Sequence, residues 1–131
     1  IKSSDFLKLN LNEINELNEL FNFHERNLIN LQKKVFRYFN LKYLCLTNSN
    51  IFSSIYDGRK FTEVKSFNVE SIDSVGAGDN FLAVFINEFF IKNNTISGSL
   101  KIAAAYGAIT TTKSGATPDI TEFEIDKILR K

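Results

Sequence analysis

Cysteine, histidine and proline occur once each in these 131 residues, and methionine and tryptophan not at all. A single cysteine forms no internal disulfide. Cys45 lies in the β-like apolar run Tyr43-Leu44-Cys45-Leu46, which reads as a place for a small buried hydrophobe. With His24 the only histidine, neither a Cys/His zinc site nor a Ser-His-Asp triad can be assembled within the chain. His24 itself is expected to be solvated between two helices. No tract rich in proline or glycine, no repeat and no low-complexity segment marks an internal boundary. No apolar run approaches the length that spans a bilayer, and nothing resembles a signal peptide. An excess of one charge is missing too: 16 Lys and Arg stand against 15 Asp and Glu, interspersed, for a net +1. There is no basic stripe, so neither nucleic acid nor a membrane is an expected partner.

What is present is a globular composition, 44% hydrophobic with thirteen Phe, enough to fill one core. Its most informative stretch is Asp73-Ser74-Val75-Gly76-Ala77-Gly78-Asp79, followed by the apolar Asn80-Phe81-Leu82-Ala83-Val84-Phe85-Ile86. Gly76 and Gly78 allow positive φ and a close approach of backbone N–H groups to a ligand. Phe81, Leu82, Phe85, Ile86, Phe89 and Phe90 recur at helical spacing, which places the glycines at a helix N-terminus, a natural anion site. Asp79 lies in the same turn, where a carboxylate takes a proton from an attacking hydroxyl or simply complements the helix dipole.

The stretch closely resembles the second signature of the PfkB (ribokinase-like) carbohydrate kinases, D-T-x-G-A-G-D-x-F, with Ser74 in place of Thr. The resemblance implies that Asp79 is the catalytic base, that Gly76, Ala77 and Gly78 form the anion hole, and that Asp73 belongs to a monovalent-cation site. Members of that family are much longer, so the chain is expected to be a fragment: their C-terminal ATP-binding portion over residues 1–131, without the sugar-binding half. On that expectation it is inactive alone and inclined to self-associate, a homodimer included.

In chain order, Asp5 to Leu9 alternates as a strand, and Asn10 with Glu13 has the spacing of a capping box. The same residues resemble the family's K-x-N-x-x-E segment, which implies that Asn10 and Glu13 organise Mg²⁺ and the phosphates of ATP through water; the two roles are compatible. Ile14, Leu17, Leu20 and Phe21 give one helical stripe, and Leu28, Leu31, Val35, Phe36 and Phe39 another. A strand over Tyr43 to Thr47 follows. The family's T-x-G-x-x-G turn after it has lost both glycines here, to Ser49 and Phe52, while Thr47 keeps its hydroxyl, which the resemblance implies is a nucleotide contact. Phe52 to Tyr56, Asp57-Gly58 and Lys60 to Phe67 form a hairpin, and Val69 to Ile72 leads back to the signature. The helix after Asp79 is expected to reach Lys92, buried on more than one side. A helix over Ser97 to Thr112 carries Ala103, Ala104, Ala105, Gly107 and Ala108, small enough for close packing or for a wall beside an adenine. Ser114-Gly115-Ala116-Thr117-Pro118 resembles the family's G-A-x-P turn, which implies that Gly115 and the neighbouring Asp119 belong with Asp73 around a potassium-like ion. Thr121 with Glu124 caps a last helix, Phe123 to Leu129.

The expected fold is α/β, the C-terminal part of a ribokinase-like fold: a mainly parallel sheet with flanking helices and an antiparallel hairpin at its margin. The resemblance implies a cytoplasmic sugar kinase of the fructokinase and ribokinase kind, transferring the γ-phosphoryl of Mg·ATP to a sugar hydroxyl. A nucleoside or other small-alcohol kinase of the same family, and a non-catalytic nucleotide-binding homologue, are the alternatives.

Overall fold

The computed structural model describes residues 5–48, 51–115 and 119–130. They divide into two compact units, 1–63 and 64–131. The division falls inside a strand, and no change of composition announces it.

The first unit opens with β1 (Phe6–Asn10), α1 (Leu11–Leu20) and α2 (Leu28–Tyr38), then β2 (Tyr43–Asn48) and β3 (Phe52–Tyr56). β4 (Phe61–Lys65) completes a sheet of order β1-β2-β3-β4. β1 and β2 are parallel, with Leu7 beside Leu44, Leu9 beside Leu46 and Asn10 beside Thr47, whereas β2 and β3 are antiparallel. The sheet is therefore mixed, and its antiparallel hairpin stands at the margin. Leu9, Leu44 and Leu46 from the strands meet Ile14, Leu31, Val35 and Phe39 from the helices in one core. Each such aliphatic side chain, once fully buried, contributes about 1.5–3 kcal/mol. Alternation sends Cys45 to the opposite face, where it lies beside Ile55 and is fully buried.

Local chemistry sets the ends of these elements. Asn10 and Glu13 form the expected capping box: the Glu13 N–H donates to Asn10 Oδ1 at 2.8 Å, and the Asn10 N–H donates to Glu13 Oε1 at 2.9 Å. Asn27 caps α2 through the Asn30 N–H. Asn22 and Asn40, each just beyond a helix, take positive φ, the asparagine version of a left-handed C-terminal turn. His24, between the helices, also has positive φ and is exposed, as expected. In the β3–β4 turn the Asp57 carboxylate accepts the N–H groups of Arg59 and Lys60, both at 2.9 Å, while Gly58 supplies φ +93°. The Lys60 N–H, then that of Arg59, holds the Asp57 carboxyl below its ordinary range.

One expectation for the first unit needs correction. Leu20 does not join the stripe of α1: it is 74% exposed, whereas Ile14 is buried. At about 100° per residue, six positions from Ile14 turn the side chain roughly 120° off the core direction. Phe52, which replaces a family glycine, is the first residue of β3 and packs against the core. Ser49, the other replacement, lies outside the described residues.

The second unit holds α3 (Ala77–Ile86), a π-helical turn over Asn87–Ile91, α4 (Ile96–Thr111) and α5 (Glu122–Leu129). Val69 to Ile72 is irregular, and the second hairpin strand stops at Lys65. Phe67 and Val69 instead pack against Ala105, Ile109, Ile125 and Ile128, so tertiary burial has overridden the alternating pattern. α3 buries Phe81 and Phe85, but Ile86, Phe90 and Ile91 are exposed, which corrects the expectation of burial on several sides. The π turn, closed by the Lys92 N–H on the Asn87 carbonyl at 2.9 Å, shifts the facing of the residues that follow Ile86.

Burial pushes the Cys45 thiol up to about 12, an effect that the Lys8 charge only partly opposes. Native protein at neutral pH should therefore leave a chromogenic disulfide reagent unreacted, and one equivalent should react after denaturation. Rapid native labelling would contradict this burial.

Candidate active site

In the second unit the glycine stretch folds as its chemistry requires. Gly76 takes φ +80° and ψ −5° and begins α3 as its N-cap, offering no side chain to the first turn. The Asn80 N–H donates to the Gly76 carbonyl at 2.9 Å and closes that turn, and the Ala77 N–H reaches back to the Ser74 carbonyl at 3.3 Å. The N–H groups of Gly78 and Asp79 have no carbonyl one turn earlier within the helix, the usual condition of a helix start. Gly78 and Asp79 are both exposed. The geometry thus joins backbone donors, the positive end of a helix and a solvent-facing carboxylate in one turn.

This turn is held by the last turn of α4. The Thr111 carbonyl accepts the N–H groups of Ile72, at 2.6 Å, and Asp73, at 3.0 Å. The fully buried Thr110 hydroxyl accepts from Asn80 Nδ2 at 2.6 Å and donates to the Tyr106 carbonyl at 2.8 Å. Gly107 lies where α3 and α4 meet: a Cβ there would make ordinary van der Waals contact, 3.5 Å from Phe81 Cβ and 3.6 Å from the Ala77 carbonyl oxygen. The interface thus has room for an alanine at 107, like Ala103, Ala104 and Ala105, which are buried earlier in the same helix.

Asp73 and Gly115 come together through the Asp73 carboxylate. Asp73 Oδ1 accepts the Val75 N–H at 3.0 Å, and Oδ2 accepts the Gly115 N–H at 3.4 Å. Gly115 has φ +92°, and a Cβ would meet nothing within 4 Å, so backbone conformation and not space calls for glycine. Residues 116–118 of the expected ion-binding turn lie outside the described residues. The carbonyl of Asp119 is engaged by Lys113 Nζ at 2.5 Å, and the same ammonium pairs with Glu124 Oε1 at 2.7 Å. Glu124 also completes the capping box of α5 with Thr121. Hydrogen bonding from Lys113 first, then from the Thr121 N–H, keeps its carboxyl below the ordinary range.

In the first unit, Asn10 and Thr47 are register partners at the carboxyl ends of the parallel pair β1 and β2. An open pocket of about 150 Å³ is lined there by Asn10, Leu11, Asn12, Thr47 and Asn48. In open α/β sheets ligands settle outside the carboxyl ends of the strands, which is where this pocket opens. Glu13, exposed, keeps one carboxylate oxygen beyond the capping box. Sequence reasoning missed Leu11, Asn12 and Asn48 as pocket residues, and it missed Thr110, Asn80 and Lys113. The polar run Thr110-Thr111-Thr112-Lys113 at the end of α4 signalled Thr110 and Lys113, and nothing local signalled Asn80.

An α/β fold with an uncapped glycine-rich helix start and an acidic residue in its first turn has the parts of a phosphoryl-transfer site. The pfkB family carbohydrate kinase model matches residues 1–122, and the chain belongs to that family. It is 37% identical over 75 residues to fructokinase-1 of Zea mays, a match covering 52% of this chain and 23% of that protein. In structure it is similar to a ribokinase of Thermotoga maritima, with a TM-score of 0.83 and 21% identity over 97% of this chain and 42% of the other. It is also similar to a Vibrio cholerae fructokinase bound to fructose, ADP and calcium, with a TM-score of 0.82 and 20% identity over 96% of this chain and 41% of the other. These structural likenesses establish the ribokinase-like α/β fold. The chain spans less than half the length of the relatives it matches.

The low-lying carboxyl of Glu124 makes a pH prediction. A group whose pKa falls on folding adds stability above its unfolded value and loses it as pH drops through its folded value. Thermal stability should therefore decline as pH falls below about 4.5, the ordinary value for Glu. Lys113→Met should flatten that decline, as read by melting temperature across an acid series. Identical pH profiles for the two proteins would remove the Lys113 contact from the account.

Proposed function

We infer that residues 1–131 are the ATP-binding portion of a sugar kinase, resembling fructokinase and ribokinase, in which the γ-phosphoryl of Mg·ATP passes to a sugar hydroxyl. The observation that carries this is the first turn of α3, where Gly76 begins the helix without a side-chain cap and Asp79 stands exposed one turn from it. On this reading Asp79 accepts the proton of the attacking hydroxyl. The N–H groups around Gly76, Ala77 and Gly78 stabilise charge on the transferring group, the work that positioned donors do best where charge develops.

Asn10, Glu13 and Thr47 are proposed as contacts at the phosphate and metal end of the nucleotide. The donor set fits a hydrated hard cation: an amide oxygen and an exposed carboxylate, beside an open pocket at the strand ends. Bound Mg²⁺ would offset phosphate charge. The loss of glycine at Phe52, now a strand residue, means that the turn after β2 contributes less backbone to the phosphates than the family pattern implies. Asp73, half-buried beside the positive-φ Gly115, is proposed to face a monovalent cation. The Asp119 carbonyl enters that site only in competition with Lys113, whose ammonium is already a cation upon it. Sugar and ATP are the proposed partners, with the cytoplasm the proposed place of action. Among the described residues no helix is long and apolar enough to cross a membrane. A homodimer is the proposed assembly, supported by the exposed apolar Ile86 and Ile91.

In catalytically competent protein carrying this chain, Asp79→Asn should leave nucleotide affinity nearly unchanged and lower turnover by about 10²-fold or more, the usual scale for a general base. Turnover within a few-fold of wild type would remove Asp79 from that role. Potassium should raise the wild-type rate over buffer free of potassium and sodium, and Asp73→Ala should abolish the increase. A wild-type rate unaffected by potassium would reject the cation site.

A further inference from the structure

We propose that Thr110 is a positioning residue for the phosphoryl-transfer turn, acting through Asn80 as a fastening that substitutes for the missing side-chain cap of α3. This rests on the reading of Asp79 as the base. Most helix starts in the chain are fastened locally: Asn10, Asn27, Thr95 and Thr121 each accept an N–H from the residue three positions on. α3 is different, because Gly76 has no side chain with which to do so. A side-chain oxygen at that position would occupy the donors that an anion needs, so leaving them open requires the turn to be fastened elsewhere.

Asn80 meets that requirement twice. Its backbone N–H closes the turn on the Gly76 carbonyl at 2.9 Å, and its side-chain amide crosses to the Thr110 hydroxyl at 2.6 Å. The hydroxyl is fully buried and is itself oriented by donation to the Tyr106 carbonyl, so its acceptor lone pair points where Asn80 uses it. Asp79, adjacent in sequence and exposed, takes its direction from the backbone of that turn. The neighbouring Thr111 carbonyl secures the other end of the same segment through the N–H groups of Ile72 and Asp73. One helical turn of α4 thereby sets both ends of the stretch from Ile72 to Asn80.

The test compares Thr110→Ser, which keeps the hydroxyl, with Thr110→Val, which removes it at nearly constant shape. Asn80→Ala deletes the same bond from the opposite end and covers the case in which the valine variant fails to fold. In the full chain, amide hydrogen exchange at Asn80 and Phe81 should quicken about tenfold in Thr110→Val and Asn80→Ala, the scale of one lost hydrogen bond, and stay near wild type in Thr110→Ser. In competent enzyme the valine and alanine variants should lose kcat while KM for nucleotide changes less than threefold, and the serine variant should recover the rate. Exchange and kcat in Asn80→Ala equal to wild type would overturn the proposal. Should Asp79→Asn remain active while exchange at Asn80 still quickens, the fastening stands and only the assignment of Asp79 fails.

Discussion

The hydrogen bonds between the last turn of α4 and the segment from Ile72 to Asn80 are the constraint on which the candidate site depends. A helix that begins on glycine has its first N–H groups available to a ligand, but it lacks the local bond that normally secures such a start. Here the securing bonds come from a neighbouring helix. They are buried where they matter: the Thr110 hydroxyl has no contact with solvent, and leaving such a group unpaired costs about 1–3 kcal/mol. The site therefore combines open donors with a rigid frame, the arrangement that favours stabilisation of developing charge without reorganisation.

The same logic places the other residues proposed for the site. In the first unit, parallel pairing of β1 and β2 brings Asn10 and Thr47 side by side at the strand ends, where a pocket opens. Asn10 serves the fold while it stands there, because its side chain caps α1, a contact worth about 1 kcal/mol. In the second unit, Asp73 uses both carboxylate oxygens on backbone N–H groups, one local and one from the turn at Gly115. Lys113 adds a fixed positive charge at the Asp119 carbonyl and ties that region to the start of α5 through Glu124. Structural and proposed functional roles here share atoms, which is why neither can be assigned from residue type alone.

Much of this was legible in the sequence because it rests on chemistry between near neighbours. The capping boxes at Asn10 and Thr121, the Asp57-Gly58 turn, the burial of Cys45 and the helix start after Gly76 each depend on residues a few positions apart, and each lies where the pattern put it. The expected stripe failed at Leu20 because helical phase, not hydrophobicity, decides which side chain meets the core. The second hairpin strand, expected to reach Phe67, stops at Lys65 because Phe67 found burial against α4 and α5 without joining the strand. A π-helical turn, which no local signal announced, altered the facing of Phe90 and Ile91.

The sequence by itself determined the family's glycine signature, the identity of the carboxylate in its turn and the ends of most helices, since these are properties of short segments and their backbone preferences. Tertiary structure alone decided that Asn80 meets Thr110, a pair separated by 30 positions. It also decided that Asn10 and Thr47 stand together. Such pairs depend on the phase of one helix against another and on strand register, which emerge only when the elements pack together, as Phe81 does beside Gly107.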